Sequence, residues 1–232
     1  MPSSSPSKAG APAPEPPRLH RLGERDYEAT WAAMRALTDR RGPQTPDEIW
    51  LVRHPPVYTL GQAGRMAHVL DPGDTPVIRT DRGGQVTWHG PGQAIAYPLL
   101  DLRRRGMGIR DLVTALEEAV IRLLADYGVA AERRTDAPGV YVGSAKVAAL
   151  GVRVRRGCSY HGLALNVCND LAPFSRINPC GFQGMATTRL QDLGVAATLD
   201  AVETALGAQL QATLQGHPHD RADAAPAPPP RI

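Results

Sequence analysis

Three stretches of the chain repeat their apolar residues with the period of an amphipathic helix. They are Glu24 to Arg40, Ile109 to Tyr127 and Leu199 to Leu214. Gly42 and Pro43 follow the first stretch, Gly128 follows the second, and Thr198 stands before the third as a candidate N-cap. These boundary residues agree with the apolar period, so we predict three helices.

Shorter runs rich in β-branched and apolar residues lie between the helical stretches and predict strands. They are Ile49 to Arg53, Val77 to Thr80, Gln93 to Leu100, Gly139 to Val142, Lys146 to Arg155 and Ser159 to Val167. The last two form a predicted antiparallel pair. In its second strand, alternation places His161 on one face with Leu163, and Tyr160 on the other. Because strands outnumber helices, we predict an α+β fold with a mixed β-sheet that helices cover on one side.

The two ends of the chain differ in composition from the part between them. Residues 1–18 and 216–232 are rich in Pro and Ala, and such segments bury too little apolar surface to offset the entropy of ordering. We therefore predict disordered tails at both ends and one folded domain over residues 19–215. The 232 residues carry a formal net charge of +3, a balance that does not by itself indicate a nucleic-acid partner.

Cysteine content and hydropathy limit the cellular context. There are three cysteines and no CxxC pair, so a disulfide framework is not expected and a reducing cytoplasm is favoured. The sequence contains no run of about 18 apolar residues, and its first residues lack the apolar core of a secretory signal. We expect a cytoplasmic protein without a membrane span, and the spacing of its His and Cys residues predicts no metal site.

Lys146 begins the predicted strand KVAALGVRVR. Strict alternation places it on one face with the apolar row that ends at Val154, and places Arg153 and Arg155 on the other face. An amine that is drawn toward an apolar pocket has a lowered pKa and acts as a base. Two alternatives remain: a lysine at a strand end that reaches water, and a bulge at Gly151 that changes the alternation.

Cys180 lies in RINPCGFQGM, a segment too broken for a helix or a strand. Pro179 stiffens the backbone before it, and Gly181 lets a ligand approach closely. A thiol in this setting becomes a nucleophile when a nearby base or cation favours the thiolate. A loop cysteine without chemistry is the alternative. Cys158 and Cys168 fall inside or beside the strand pattern, where small packing residues are expected.

Glycines concentrate in RTDRGGQVTWHGPGQ, which runs from Arg79 to Gln93. They permit close backbone approach to a bound group, while Arg82 and His89 add hydrogen-bond donors and Trp88 adds an apolar wall. Such a loop can cradle a phosphate, but the segment matches neither of the common nucleotide-binding glycine motifs. A glycine-containing hairpin with His89 as a structural histidine is the alternative.

Three motifs, RGGQVTWHGPGQ, SAKVAALGVRVRRGCSYHGLALNV and RINPCGFQGM, together resemble the lipoyl(octanoyl) transferases, the acyltransferases of lipoate assembly. They follow the family's order over roughly Trp50 to Leu190, which is most of the predicted domain. The resemblance implies the fold of the biotin and lipoate protein ligases, an α+β catalytic domain with a mixed sheet.

Position by position, the resemblance implies two catalytic residues. Cys180 matches the family's nucleophile, which takes the octanoyl group as a thioester, and Lys146 matches the lysine that lowers the thiol pKa and moves protons. Trp88 departs from the pattern, because it stands where the family has a tyrosine, and this concerns the shape of the acyl pocket. The implied substrate-contacting residues are Arg82, Gly83, Gly84, Gln85, Val86, Thr87, Trp88, His89, Ala149, Leu150, Gly151, Gly162, Leu163 and Ala164.

The reaction implied by the resemblance transfers octanoyl from octanoyl-acyl carrier protein to a specific lysine of lipoyl domains. The acceptors would be 2-oxoacid dehydrogenases and the glycine cleavage H protein. Because the donor is already a thioester, neither ATP nor another cofactor is implied. We expect a monomer with no nucleic-acid and no membrane partner. Basic runs at Arg103 to Arg105 and Arg153 to Arg156 suggest the hypothesis of electrostatic steering toward acidic carriers, with a solvated surface as the alternative.

Two other functions fit parts of the sequence. An ATP-dependent lipoate or biotin protein ligase activates a free acid as an adenylate and needs no nucleophilic cysteine, so Cys180 together with Lys146 favours the transferase. A non-catalytic basic module would bind RNA or a carrier protein. The aromatic share of 5% and the lack of an aromatic pair on the strands argue against RNA binding.

Overall fold

The computed structural model describes residues 15–135, 137–178 and 185–215 and shows an α+β architecture there. Its strands are β1 (Arg18–Glu24), β2 (Glu48–Arg53), β3 (Val57–Leu60), β4 (Val77–Arg79), β5 (Val86–His89), β6 (Gln93–Leu99), β7 (Glu132–Arg133), β8 (Gly139–Val142), β9 (Ala145–Arg155) and β10 (Cys158–Asn166). Its α-helices are α1 (Tyr27–Arg40), α2 (Ile109–Asp126), α3 (Ala172–Ser175) and α4 (Leu199–Gln215).

Two sheets organise these strands. The larger one has the order β1-β2-β6-β10-β9-β8-β7, and the smaller one has the order β4-β3-β5. In the larger sheet β1 and β2 run parallel, while the other neighbours run antiparallel. The predicted mixed sheet is therefore confirmed, and so is the antiparallel pair of β9 and β10.

Helices cover both faces of the larger sheet. Along β6, Ala94 and Ala96 pack in the core formed with α2 and α4, whereas Ile95 and Tyr97 pack against Met34 of α1. The prediction that helices cover only one side is therefore wrong. The reason lies in the central strands: all residues of β6 and β10 are buried, and a strand buried on both faces needs a helix on each side.

The three predicted helices match α1, α2 and α4 to within three residues at each end. The sequence analysis missed β1, β3, β5 and β7. The predicted tails span residues 1–18 and 216–232. Residues 1–14 and 216–232 lie outside the described residues, whereas Arg18 already pairs with β2 as the first residue of β1. The division into domain and tails stays a prediction. None of the described helices is both long and apolar enough to cross a membrane.

Arg103 and Arg104 of the basic run are exposed, but Arg105 is buried. The Arg105 side chain is 1% exposed and its Nε lies 2.6 Å from Oδ2 of Asp47. Nη2 of Arg104 lies 2.6 Å from Oδ1 of the same carboxylate. The Arg105 guanidinium also donates to the Leu214 carbonyl at 2.9 Å. Arg105 therefore joins the start of β2 to the end of α4, which removes it from the steering hypothesis.

Candidate active site

A cavity of about 270 Å³ lies where the segment after β4 meets β9 and β10. Its walls bring together the three segments that the resemblance implied as substrate-contacting, residues 82–89, 149–151 and 162–164. Lys146 lies on the same walls, whereas Trp88 does not. Contact of these residues with a substrate stays a prediction. The predicted residues that line the cavity are Arg82, Gly83, Gly84, Gln85, Val86, Thr87, His89, Ala149, Leu150, Gly151, Gly162, Leu163 and Ala164.

Arg82 fixes the shape of the segment that follows it. Its guanidinium donates to the Thr59 carbonyl at 2.6 Å and to the Gln85 carbonyl at 2.8 Å. The Gly83 amide donates to the Val152 carbonyl at 3.0 Å, which attaches the segment to β9. A guanidinium offers several donors in one rigid plane, so the buried Arg82 organises the backbone of the cavity wall.

Trp88 points away from the cavity, and the predicted apolar wall is wrong at this position. Thr87 and His89 line the cavity, so alternation along β5 turns Trp88 to the opposite side. There it packs with Tyr58 in the core of the smaller sheet and meets Phe174 edge-on, with 5.8 Å between ring centroids. The departure at Trp88 from the pattern that the resemblance implies therefore concerns this core.

Lys146 lies on the face of β9 opposite to the one predicted. Consecutive residues of β8 pair with Lys146 and Ala148, so Val147 between them forms a β-bulge. The bulge sends both Val147 and Ala148 into the main core and leaves Lys146 on the opposite face with its pairing partner Tyr141. The Lys146 side-chain nitrogen lies 5.2 Å from the Tyr141 ring centroid. The alternation does change, but at Val147 and not at Gly151.

His161 also departs from the predicted face, because its φ is 58°. This left-handed conformation is uncommon for a residue other than glycine. It turns the ring to the α1 side of the sheet, 6.2 Å from the Tyr97 ring and on the cavity wall. Leu163, the predicted neighbour on the same face, packs instead in the core with α2 and α4.

Asp81 receives hydrogen bonds from three side chains beside the cavity. Trp31 Nε1 and His161 Nε2 donate to its Oδ1 at 2.9 Å and 3.0 Å, and the Tyr160 hydroxyl donates to its Oδ2. Burial opposes the charged form, but the bonds from His161 and Tyr160 outweigh it and lower the pKa of Asp81. Since Asp81 immediately precedes Arg82, these bonds anchor the start of the cavity segment to α1 and β10.

Buried tyrosines and histidines form a polar side of the cavity, and of these the sequence analysis marked His89 but neither Tyr27 nor Tyr97. The Tyr27 ring stacks on His89 with 5.9 Å between centroids, and the Tyr97 hydroxyl lies 2.8 Å from His54 Nε2. Burial lowers the pKa of His89 and of His54 and raises the pKa of Tyr97, which favours their neutral forms. Among the described residues, no cluster of His, Cys, Asp or Glu has the arrangement of a metal site.

Cys180, the candidate nucleophile, lies outside the described residues. On one side of its segment, the Asn178 amide donates to the His68 carbonyl at 2.8 Å. On the other side, Met185 lines the cavity, and the Lys146 amide donates to the Ala186 carbonyl at 2.8 Å. The pairing of Cys180 with Lys146 stays a prediction.

The sequence of the domain matches a family of known enzymes. The model of the lipoyl protein ligase A/B catalytic domain covers residues 26–211. The chain belongs to this family. An octanoyltransferase of Halorhodospira halophila is 65% identical over 205 residues, which are 87% of this chain and 94% of the relative. An octanoyltransferase of Alkalilimnicola ehrlichii is 66% identical over 185 residues, 80% of this chain and 86% of the relative.

Solved structures share the fold of this lipoyl protein ligase A/B family member. A bi-partite lipoate protein ligase from Thermoplasma acidophilum matches with a TM-score of 0.70 at 19% identity, over 86% of this chain and 84% of that chain. A biotin protein ligase from Aquifex aeolicus in complex with biotin and ATP matches with a TM-score of 0.55 at 15% identity, over 85% and 70%. The predicted biotin and lipoate ligase fold is confirmed.

Proposed function

We propose that the chain transfers an octanoyl group from octanoyl-acyl carrier protein to a lysine of lipoyl domains. In this proposal Cys180 carries the acyl group as a thioester and Lys146 moves the protons. The acceptors are 2-oxoacid dehydrogenases and the glycine cleavage H protein, and the enzyme works as a monomer in the cytoplasm. The observation that carries the proposal is Lys146 on the wall of a cavity of about 270 Å³ built from the predicted substrate-contacting segments.

The chain is an acyltransferase. The octanoyltransferases described above are 65% and 66% identical to this chain and match most of it. At this similarity the reaction type, octanoyl transfer, is shared. The cavity suits an acyl chain, because apolar residues such as Leu150, Val152 and Leu163 contribute to its walls. Apolar walls bind a hydrocarbon chain by removing its surface from water.

Acyl capture uses Lys146 as the base for the Cys180 thiol. Lys146 takes the proton of Cys180, and the thiolate attacks the carbonyl carbon of the octanoyl thioester. The bond from that carbon to the phosphopantetheine sulfur breaks as the bond to the Cys180 sulfur forms. The leaving thiolate then recovers a proton from the Lys146 ammonium. The free energy changes little, because one thioester replaces another.

Acyl delivery uses the same two groups in reverse. The acceptor lysine amine attacks the thioester carbon, Lys146 takes a proton from that amine, and the Cys180 thiolate leaves as the amide forms. The thiolate is then reprotonated by Lys146. Since an amide is more stable than a thioester, this step drives the reaction and no ATP is needed.

The intact mass of the protein after mixing with octanoyl-acyl carrier protein tests the proposal. We expect an octanoyl adduct on the wild type that hydroxylamine removes, and none on Cys180→Ser. Cys168→Ser is the matched control, because Cys168 is an exposed free cysteine, and it should keep the adduct. An adduct that persists in Cys180→Ser would disprove the role of Cys180.

The ATP-dependent ligase remains the second candidate, because the fold is shared with solved ligases. A ligase would modify the lipoyl domain from free octanoate and ATP. We expect no modification from that mixture and full modification from octanoyl-acyl carrier protein without ATP. The reverse pattern, together with the absence of an adduct on Cys180, would replace the transferase with a ligase.

A further inference from the structure

Glu117 is a buried carboxylate next to the cavity, and the proposed mechanism assigns it no role. It lies on α2 and is 5% exposed. Its Oε1 accepts a hydrogen bond from the Gly139 amide at 3.0 Å. A buried carboxylate is costly unless its oxygens are hydrogen-bonded, so this contact is a specific feature of the fold.

The hydrogen bond from Gly139 connects Glu117 to Lys146 through one peptide unit. The amide of Gly139 and the carbonyl of Pro138 belong to the same peptide bond, and in a trans peptide they point in opposite directions. The Lys146 side-chain nitrogen donates to that carbonyl at 3.2 Å. This rigid peptide plane therefore donates a hydrogen bond to Glu117 on one edge and accepts one from Lys146 on the other.

Gly139 brings this peptide into direct contact with the end of the lysine side chain. Its φ is 147°, a conformation that favours glycine. A Cβ at this position would lie 2.9 Å from Cε and 3.2 Å from Nζ of Lys146. The contact leaves the Lys146 amine little freedom on this side, so the peptide is one of the contacts that place the amine.

We propose that Glu117 is a positioning residue for Lys146, which it orients through the Pro138–Gly139 peptide. This inference rests on the proposed role of Lys146 in octanoyl transfer. A carboxylate that accepts from the amide polarises the peptide, and the carbonyl becomes a stronger acceptor for the lysine. Glu117 thus holds the amine at one place on the cavity wall.

Several charged and titratable groups surround the amine and the carboxylate. Tyr141 of β8 presents its ring to Lys146, and Arg134 packs on the same ring. Burial raises the pKa of Glu117, while the Gly139 amide and the charges of Arg133 and Lys146 act in the opposite direction. These groups face the amine and the carboxylate from β8 and from the segment before it.

Two substitutions separate the charge of Glu117 from its hydrogen bond. Glu117→Gln keeps an oxygen for the Gly139 amide but removes the charge, whereas Glu117→Leu removes both. Glu118→Gln is the matched control, since Glu118 lies next in the same helix and pairs with Arg122 at 2.9 Å. We expect Glu117→Leu to lower kcat of octanoyl transfer by about 10- to 100-fold, as small displacements of catalytic groups do, with little change in KM.

Glu117→Gln should keep most of kcat, because its amide oxygen can still accept from the Gly139 amide. A merely structural role would lower the melting temperature of Glu117→Leu without lowering kcat at a temperature where the variant is folded. Equal kcat values for Glu117→Gln, Glu117→Leu and Glu118→Gln, in a wild type that transfers octanoyl, would overturn the inference. Should Glu117→Leu not fold, the lysine side-chain signal of Glu117→Gln decides.

A second measurement does not depend on activity. The chain contains two lysines, Lys8 and Lys146, so the full chain with Lys8→Arg and ¹³C-labelled lysine gives one lysine side-chain signal. We expect the chemical shift of that signal to change in Glu117→Gln, because the peptide whose carbonyl accepts from Lys146 loses its charged partner, and to stay in Glu118→Gln. An inactive wild type would disprove the proposed function, and an unchanged chemical shift in Glu117→Gln would overturn the inference.

Discussion

At the scale of single residues, Asp81 connects three parts of the structure. Its carboxylate accepts hydrogen bonds from Trp31 of α1 and from Tyr160 and His161 of β10. Hydrogen bonds to a charged acceptor are stronger than neutral ones. Asp81 therefore determines where the cavity segment leaves β4.

We expect Asp81→Asn to reduce the free energy of unfolding at pH 7 by about 1–3 kcal/mol, the cost of weakening hydrogen bonds to a charged group. The pKa of Asp81 is lowered in the folded protein. Its contribution is therefore present above the unfolded carboxyl pKa of about 3.9 and is lost as the pH falls further. Urea unfolding at pH 7 and at about pH 3 should show the difference shrink in acid.

Asp74→Asn is the control for this experiment, because Asp74 is exposed, and it should change stability by less than about 0.5 kcal/mol. A wild-type-to-variant difference for Asp81→Asn that is the same at both pH values would contradict the linkage.

The sequence could indicate which segments form the cavity but not the direction of each side chain. Motif similarity placed Arg82, Lys146 and Gly162 in the candidate site, and all three line the cavity. The direction of Lys146 depends on a bulge, and that of His161 on a positive φ. Neither feature is encoded by an apolar alternation, because the bulge depends on the register with β8 and the positive φ of His161 is a local departure from regular strand geometry.

At the scale of elements, Gly151 lets the segment after Arg82 lie directly against β9. A Cβ at Gly151 would lie 2.9 Å from the Gly83 carbonyl oxygen and 3.2 Å from Cδ of Arg82. The Gly83 amide also bonds to the Val152 carbonyl at 3.0 Å. Because the nearest atom belongs to the backbone, the segment cannot move away without losing this bond.

We expect Gly151→Ala to displace the cavity segment and to raise KM for the octanoyl donor by about tenfold or more, since misplaced binding groups cost up to about 100-fold in rate. The control is Gly42→Ala, where a Cβ would meet no atom within 4 Å. Steady-state kinetics on both variants make the comparison. Equal KM values would show that the segment does not contribute to binding.

Helices were more predictable than strands for a physical reason. The apolar period of α2 continues through about five helical turns, and Gly128 at positive φ follows the helix. The periodicity and the boundary residue therefore agree. β1 is largely exposed and polar, and it becomes a strand only because β2 pairs with it. β5 lies inside a glycine-rich stretch that also fits a turn. Such strands depend on contacts distant in sequence.

At the scale of the whole molecule, Asp47 joins distant parts of the chain. Its carboxylate contacts Arg41, Arg104 and Arg105 at 2.9 Å, 2.6 Å and 2.6 Å. Through Arg105 the network reaches the last turn of α4, at the Leu214 carbonyl. The carboxylate and the Arg105 guanidinium are almost fully buried, so neither can replace its partner with water.

We expect Arg105→Met to reduce the free energy of unfolding by about 3–5 kcal/mol, because loss of one partner leaves a buried charge without full compensation. Arg103→Met is the matched control: Arg103 is exposed and should change stability by about 0.5 kcal/mol or less. Urea unfolding of both variants at pH 7 gives the comparison.

Since domains of this kind are stable by only about 5–15 kcal/mol, Arg105→Met should also lose octanoyl transfer at elevated temperature with carrier-bound and small thioester donors alike. A loss restricted to the carrier-bound donor, with unchanged stability, would return Arg105 to a docking role.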